Sequence, residues 1–534
     1  MELIESMSKP FKPAWQKARD RRKLVRIAAF AAVLVVTGLA AGYLLIYGLN
    51  LPNWFSTAGD RHLASPSKTG KTINVKRGES FQKALDMALP GDTIRLEAGA
   101  TFSGAFELPF KEGNQFITIR SAADDSRLPP PGKRLEPNKY ALSLAKLESN
   151  EKGSPVIATQ RGAHHYRFFG IEFLPTIEGY FNIVRIGNAS ETGIEDLPHH
   201  IEFDRVYIHG SERFGQRRGI AANGRHIRIV NSHISNIKRK GEETQAIAAW
   251  ATDGPIVIEN NYLEAAGMSI LFGGADSPLR LTPTNCVVRN NRINKRPEWK
   301  GQGWVVKNFF EIKNGKNIKV QNNLMTNNWL MAQDGTAVLF TVREDSGEGA
   351  FIENIEFSNN IVRGSGSAVN ILGSEGKGGR NLVIRNNIFD DINSEKWGGD
   401  GFFLKGTDWD GLVIENNTII QTGNITSAYG KPISGLIFRN NIVFNNDYGF
   451  FGDDFGAGQR AVGRYFPGAQ IENNVIIGGA ASDYGRSNFY PASFAKLRLS
   501  GAGYALPPGS PYLRRGFGGG QVGANLDPGT VGGN

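Results

Sequence analysis

Lys307, Glu311 and Lys313 lie close together in VVKNFFEIKN, and Arg343 closes the later segment AVLFTVR. These residue types suit removal of a proton next to a carboxylate. A base must take the proton, and a positive or hydrogen-bonding group must hold the enolate that develops. A lysine whose pKa is lowered by a nearby cation can serve as that base. Lys313 is the candidate base, Arg343, Lys307 and Asn370 are candidates to surround the carboxylate, and Glu311 completes the polar set. The same abstraction leads to β-elimination of a uronate chain or to epimerisation at C5. Hydrolysis ranks below both, because it usually needs two carboxylates roughly 5–10 Å apart. Glu311 has only Glu264, Asp276 and Asp334 as possible partners, all at strand ends or in loops. The competing reading of Glu311 and Lys313 is a surface ion pair of little energetic weight.

A strand must carry these residues. Segments GIAANG, AIAAWA, SILFGG, FFEIKN, AVLFTV, AVNILG and GFFLKG align over 219–406. Their second and fourth columns are wholly apolar, from Ile220 and Ala222 through Phe310 and Ile312 to Phe402 and Leu404, so they face inward. The third and fifth columns then face out, placing Glu311 and Lys313 on one surface. Trp250, Thr341, Asn370 and Lys405 are candidate substrate contacts on flanking coils, with Lys405 expected in the Lys313 column about 14 Å away. That spacing suits successive subsites on a sugar chain. Trp250 either stacks on a sugar face or covers the sheet edge. Arg217 and Arg218, with Gln245, either brace a turn or meet an acidic glycan.

The strands recur on a beat. Asn-Asn follows a β-branched run at Asn260, Asn290, Asn322, Asn359, Asn386, Asn416, Asn440 and Asn473, with a degenerate copy at Asn231. Successive first asparagines are 29, 30, 32, 37, 27, 30, 24 and 33 residues apart. Such a period marks a solenoid, and the absence of helical periodicity makes its turns β. The fold class is all-β, a parallel β-helix, with two strands expected per repeat. Stacked corner asparagines bonding one another explain the pairs structurally. Phe81, Ala84, Leu85 and Ala88 form one face of a helix ended by Pro90-Gly91 and followed by strand 93–96. That helix caps the open end of the stack ahead of the first strand. Residues 124–152 are Pro-rich and charged and read as an excursion from the coils.

The helix followed by PGDTIRLEAG and then by repeated xxxNN strands resembles the pectate-lyase-like right-handed parallel β-helix superfamily over residues 71–480. RRGIAANGRHIRIVNSHISNIK, TQAIAAW, IENNYLEAAG, LFGGAD, VVKNFFEIKN and AVLFTVR resemble a functionally obscure bacterial branch of it. The resemblance implies lysine or arginine bases, often with Ca2+. No dense outward Asp cluster commits this sequence to calcium, and no metal ligands are assigned. The superfamily hosts lyases, hydrolases, epimerases, tailspike-type proteins and adhesins, so it speaks for fold more than for activity.

The formal net charge is +10, and residues 1–26 hold eight Lys/Arg against three acids. The remaining excess is mild, and no basic stripe with interleaved aromatics points to nucleic acid. Residues 27–49 carry no charge and as a helix would span about 35 Å, enough for a transmembrane anchor. The basic flank places the N-terminus in the cytoplasm and the remainder in the periplasm or outside the cell. The expected organisation is a cytoplasmic tail (1–26), the anchor (27–49), a linker (50–70), the β-helix (71–480) and a Gly/Pro-rich segment (481–534) that either packs along the solenoid or stays loose. Cys286, the one cysteine, reads as a small core residue. His164, His165, His199 and His200 form two adjacent pairs without a familiar metal spacing and read as ordinary loop or strand residues. The expected partner is an acidic polysaccharide, acted on near the membrane. The alternative is a non-catalytic glycan-binding or envelope-scaffold protein.

Overall fold

The computed structural model describes residues 70–343, 349–501 and 503–533. The chain divides at Ser65/Pro66, and every described residue lies in the second part. The basic tail and the anchor expected at 27–49 lie outside the described residues, as does the linker apart from Gly70. Among the described residues no helix is long and apolar enough to cross a membrane.

Three long sheets wrap one lumen. Sheet I has 14 strands, from Thr72–Val75 to Gln470–Glu472; sheets II and III have 13 each. Within a coil the chain visits I, then II, then III, as in Arg225–Val230, His233–Ile237 and Gln245–Ala249. Neighbouring coils pair in parallel, apart from an antiparallel hairpin between Phe450–Gly452 and Gly456–Ala457. The arrangement is consistent with a right-handed β-helix, the hand that parallel crossovers favour. Each repeat holds three strands where two were expected. The third, sheet II, consists of short strands such as Tyr262–Ala265 and Arg292–Asn294 placed directly after the Asn-Asn corner, where sequence periodicity is too brief to register.

The Asn pairs make that corner. The first Asn of each pair adopts a left-handed backbone, with φ between 51° and 58° from Asn260 to Asn473, a conformation asparagine tolerates better than most residues. The second Asn is fully buried and bonds to the next coil. Asn323, for example, donates its backbone N–H (2.9 Å) and side-chain amide (3.0 Å) to Asn360 Oδ1, and its amide also reaches Val288 O at 3.0 Å. Hydrogen bonding along the stack thereby satisfies polar groups that would be costly alone in the core.

The capping helix spans Phe81–Met87, with Ser80 accepting from Lys83 N at 3.2 Å, and buries Phe81, Ala84 and Leu85. It is not ahead of the first strand: Thr72–Val75 precedes it and pairs with Thr93–Leu96. The excursion is shorter than 124–152, because Ala145–Glu148 forms a sheet II strand. Cys286 is buried in the core. The C-terminal segment packs along the solenoid, running back over the outer asparagines. Asn473 Nδ2 donates to Arg515 O (2.9 Å), Phe517 N to Asn440 Oδ1 (2.7 Å), Asn525 N to Asn386 Oδ1 (2.7 Å) and Gly532 N to Asn322 O (2.9 Å).

Candidate functional site on the third sheet

The inward columns of sheet III run Ile220, Ile247, Ile270, Phe310, Val338, Val369 and then Leu404. Phe310 and Ile312 are both fully buried, so Glu311 and Lys313 share the outer face. The expected frame slips at the last aligned coil. Phe403, not Phe402, joins the lumen core, and Lys405 pairs with Asn370 in the Glu311 column. The slip is two residues, Leu404 standing opposite Val369 where Phe402 was expected, and apolar residues at both 402 and 404 let either register look right. Asn370 and Lys405 therefore stand two and three coils from Glu311, about 10 and 14 Å along the axis.

Around Lys313 the polar groups are closely knit. Its Nζ lies 3.8 Å from Glu311 Oε1. Glu311 is 1 % exposed and also accepts from Asn308 Nδ2 (3.0 Å) and Thr341 Oγ1 (3.3 Å). Gly274, with φ +89°, leaves space for the Lys313 stem, which a β-carbon there would meet at 2.7 Å. Lys307 reaches Glu243 at 2.6 Å. Burial alone would raise the Glu243 carboxyl, but Lys307 overrides it and the pKa falls below the usual range. Arg343, whose backbone N–H donates to Lys313 O, grips Glu375 with two contacts of 2.6 Å. That fork holds the Glu375 carboxyl below its ordinary range and raises the guanidinium. Lys405 meets Asp334 at 3.1 Å.

A groove of about 470 Å³ opens beside this set, within the range of small-molecule sites. Trp250, Leu271, Arg217, Arg218, Glu243 and Lys313 line it. Arg218 donates to Gln245 Oε1 (2.7 Å) and Asn182 Oδ1 (2.9 Å) and lies 5.0 Å from the Trp250 ring centre. Burial, then the neighbouring Arg217, pulls its pKa down to about 10. The structure thus gathers Lys307, Glu311, Lys313, Thr341 and Arg343 on adjoining coils with Trp250 at the groove wall, and leaves Asn370 and Lys405 further along.

Calcium takes six to eight oxygen ligands. Among the described residues the acids here pair with cations, as Glu311 with Lys313, Glu243 with Lys307 and Glu375 with Arg343. Among the described residues the grouping able to share an ion is His164, His165 and His199, several coils earlier in the solenoid. The described residues around Lys313 do not fit calcium.

A larger cleft, about 1580 Å³, lies on sheet II beneath the excursion near Pro130 and Tyr140. Tyr262 OH donates to Glu264 Oε2 at 2.8 Å, and burial raises the Glu264 carboxyl. His209 Nε2 lies 3.1 Å from Glu172 Oε1, and Tyr207 stacks on His209. Glu264 therefore belongs to this face and does not approach Glu311. Sequence reasoning missed the cleft because its strands are short and follow the Asn corner. A signal was present: Tyr207/His209, His233/Ser235, Tyr262/Glu264 and Arg292/Asn294 repeat two polar outward positions on four successive coils.

The sequence matches no protein-family model, and no curated protein matches it. Several solved structures are similar to it over most of its length. The PL6 family alginate lyase AlyGC is 15 % identical with a TM-score of 0.49, over 86 % of this chain and 58 % of that one. The chain thus spans somewhat over half of AlyGC. The GH136 lacto-N-biosidase from Eubacterium ramulus is 13 % identical over 89 % of this chain and 75 % of that chain, TM-score 0.40. Pectate lyase Pel9A is 12 % identical over 84 % and 92 %, TM-score 0.28. The strand register itself establishes the parallel β-helix; these likenesses bear on no residue's role.

Proposed function

We propose that this chain acts on an acidic polysaccharide lying along the outer face of sheet III, by β-elimination or C5 epimerisation at a uronate. The observation that carries this reading is the cluster of Lys313, Glu311 and Thr341 beside an open groove walled by Trp250 and Arg218. Lys313, as the neutral amine, takes the proton α to the substrate carboxylate; in elimination the C4–O bond then breaks as the C4–C5 double bond forms, and in epimerisation a proton returns to the opposite face of C5. Arg343 and Lys307 supply positive charge toward the developing enolate once the substrate carboxylate competes for them with Glu375 and Glu243. Trp250 presents an apolar surface to a sugar ring. The proposal includes an N-terminal membrane helix at 27–49 holding the β-helix in the periplasm or outside the cell.

One observation favours a second reading. Lys307, Lys313, Arg343 and Lys405 each already contact a carboxylate. A surface so neutralised also suits a glycan-binding or envelope-scaffold protein without catalysis. Incubation with a panel of uronate polymers separates the two. Unsaturated-uronate absorbance that disappears in Lys313→Ala and Arg343→Ala supports elimination, and a changed C5 configuration by NMR supports epimerisation. Binding without either product supports the scaffold.

A further inference from the structure

Where sheet III turns into sheet I, one register column runs His165, His200, His226, Pro255, Asn285, Asn317, Asn354, Asn381, Gly411 and Gly435. Every residue of it except Pro255 has a positive φ, between 52° and 74°. Asparagine and glycine are the ordinary occupants of such a slot. In the later coils asparagine fills it, and the side chains bond one another at 3.1, 3.0 and 2.9 Å. At the first three of these positions histidine replaces it, and the rings stack with centroids 4.6 and 4.4 Å apart.

The preceding column differs more. It holds Lys316, Glu353, Arg380 and Asp410 in later coils, ordinary surface charges. In the early coils it holds His164 and His199, stacked at 4.6 Å, and then Arg225. The left-handed residue breaks the strand's alternation, so both rings of each pair emerge at the corner. Their Nδ1 atoms lie 2.8 Å apart in His164/His165 and 2.7 Å apart in His199/His200. One nitrogen from each of His164, His165 and His199 falls within 4.8 Å of the others. A corner ladder needs one residue per coil. The second imidazole on each coil exceeds that need.

Two ligands at right angles around a metal, each with a bond of about 2.0–2.1 Å, are about 2.9 Å apart. The Nδ1 pairs are close to that edge already. The cluster contains neither carboxylate nor thiolate, and imidazole donors suit copper, nickel and zinc over calcium or magnesium. Phe110 and Phe116 pack edge-on against His164 and His165, at 5.4 and 5.2 Å, and cover one end of the stack. Arg225, held by Asp253 at 2.9 Å, stands at the other end of the His164 column. The four rings are partly exposed, so an ion can reach them.

We propose that His164, His165, His199 and His200 form a binding site for a transition-metal dication of the copper, nickel or zinc class. The site is independent of the sheet III groove. The test uses the tag-free full chain titrated with Cu2+ alone, by calorimetry and by electron paramagnetic resonance. One equivalent is expected, with hyperfine coupling to several imidazole nitrogens. His165→Asn/His200→Asn keeps residues that tolerate the left-handed backbone and is expected to weaken binding at least tenfold and remove nitrogen couplings. Should that variant lose its β-sheet circular dichroism, His164→Gln/His199→Gln, at positions without positive φ, carries the same test. His209→Asn/His233→Asn is expected to retain the site. Absence of binding, or binding unchanged when the corner histidines are replaced, overturns the proposal.

Discussion

Asn488 ends the buried amide ladder. Its Oδ1 accepts from the Asn474 side chain at 2.9 Å and from Asn474 N at 3.0 Å, although Asn488 lies beyond the last coil strand. Interior and terminal rungs should therefore differ. Asn360→Ala strands the backbone donor of Asn323 and the acceptor at Val320 O, both buried, and leaves the Asn323 amide only Val288 O and Gln321 O. Each buried unsatisfied group costs about 1–3 kcal/mol, so a loss of about 3–5 kcal/mol is expected. Asn488→Ala interrupts the ladder on one side only, because Asn488 ends it, and should cost about 1–2 kcal/mol. Denaturant unfolding of the two variants checks the order; equal costs would remove the distinction.

If the sheet III groove is the reaction site, Lys313→Ala lowers kcat on a responsive uronate polymer by about 10²–10⁴. Arg343→Ala costs about 10²–10³. Trp250→Ala raises KM with little change in kcat. Glu264→Gln, on the sheet II cleft, leaves the rate unchanged. A profile in which Glu264→Gln abolishes turnover and Lys313→Ala does not would move the chemistry to the other face.

Much of this was legible in the sequence. Ile220 to Val369 could be put in register by alternation alone, because a lumen admits only apolar side chains at fixed steps. Asn pairs marked the corners for a like reason: few residues combine a left-handed backbone with a buried amide. Legibility failed where a local choice had two apolar solutions, as at Phe402 and Leu404. It failed again on sheet II, where strands such as Arg292–Asn294 are too short to show a period. The ion pairs of Lys307 with Glu243 and Arg343 with Glu375 depend on loop lengths and on contacts 64 and 32 residues apart, which no local pattern encodes.

Acid should weaken the fold well before carboxylates titrate. His233 lies between Tyr207 and Tyr262, with Arg134 and His209 nearby. Burial first, then Arg134 and His209, lowers its pKa from 6.5 to about 3, against a smaller opposing contribution from the Leu135 backbone. Below pH 6.5 the unfolded chain binds a proton that the folded ring refuses, so stability is lost as pH falls from 6.5 toward 3. At pH 5 the loss from this ring is on the order of 1–2 kcal/mol. His199 and His200, each lowered to about 4 chiefly by burial, act in the same direction. His233→Gln should flatten the decline measured between pH 7 and 5 in the presence of chelator. An unchanged slope would show that this ring does not govern it.

The C-terminal strap makes a separable contribution to stability. Val522 packs against Ile442 and Ile477, and Ala524 and Val531 cover Ile361 and Ile388 on the outer side of sheet II. Asn386, Asn416, Asn440 and Asn473 also exchange hydrogen bonds with it. Ending the chain after Arg515 exposes those isoleucines while leaving the buried amide ladder and Lys313 untouched. Burying a valine side chain is worth roughly 1.5–3 kcal/mol, and loss of the strap's ordering entropy offsets part of the gain. A Tm lower by about 2–5 °C is expected. Faster hydrogen exchange should be confined to coils 260–477, which the strap touches from Asn260 and Asn322 onward, with the N-terminal coils near His164 unaffected. An unchanged Tm with unchanged exchange at Ile361 and Ile388 would mean that the strap rests on the solenoid without holding it.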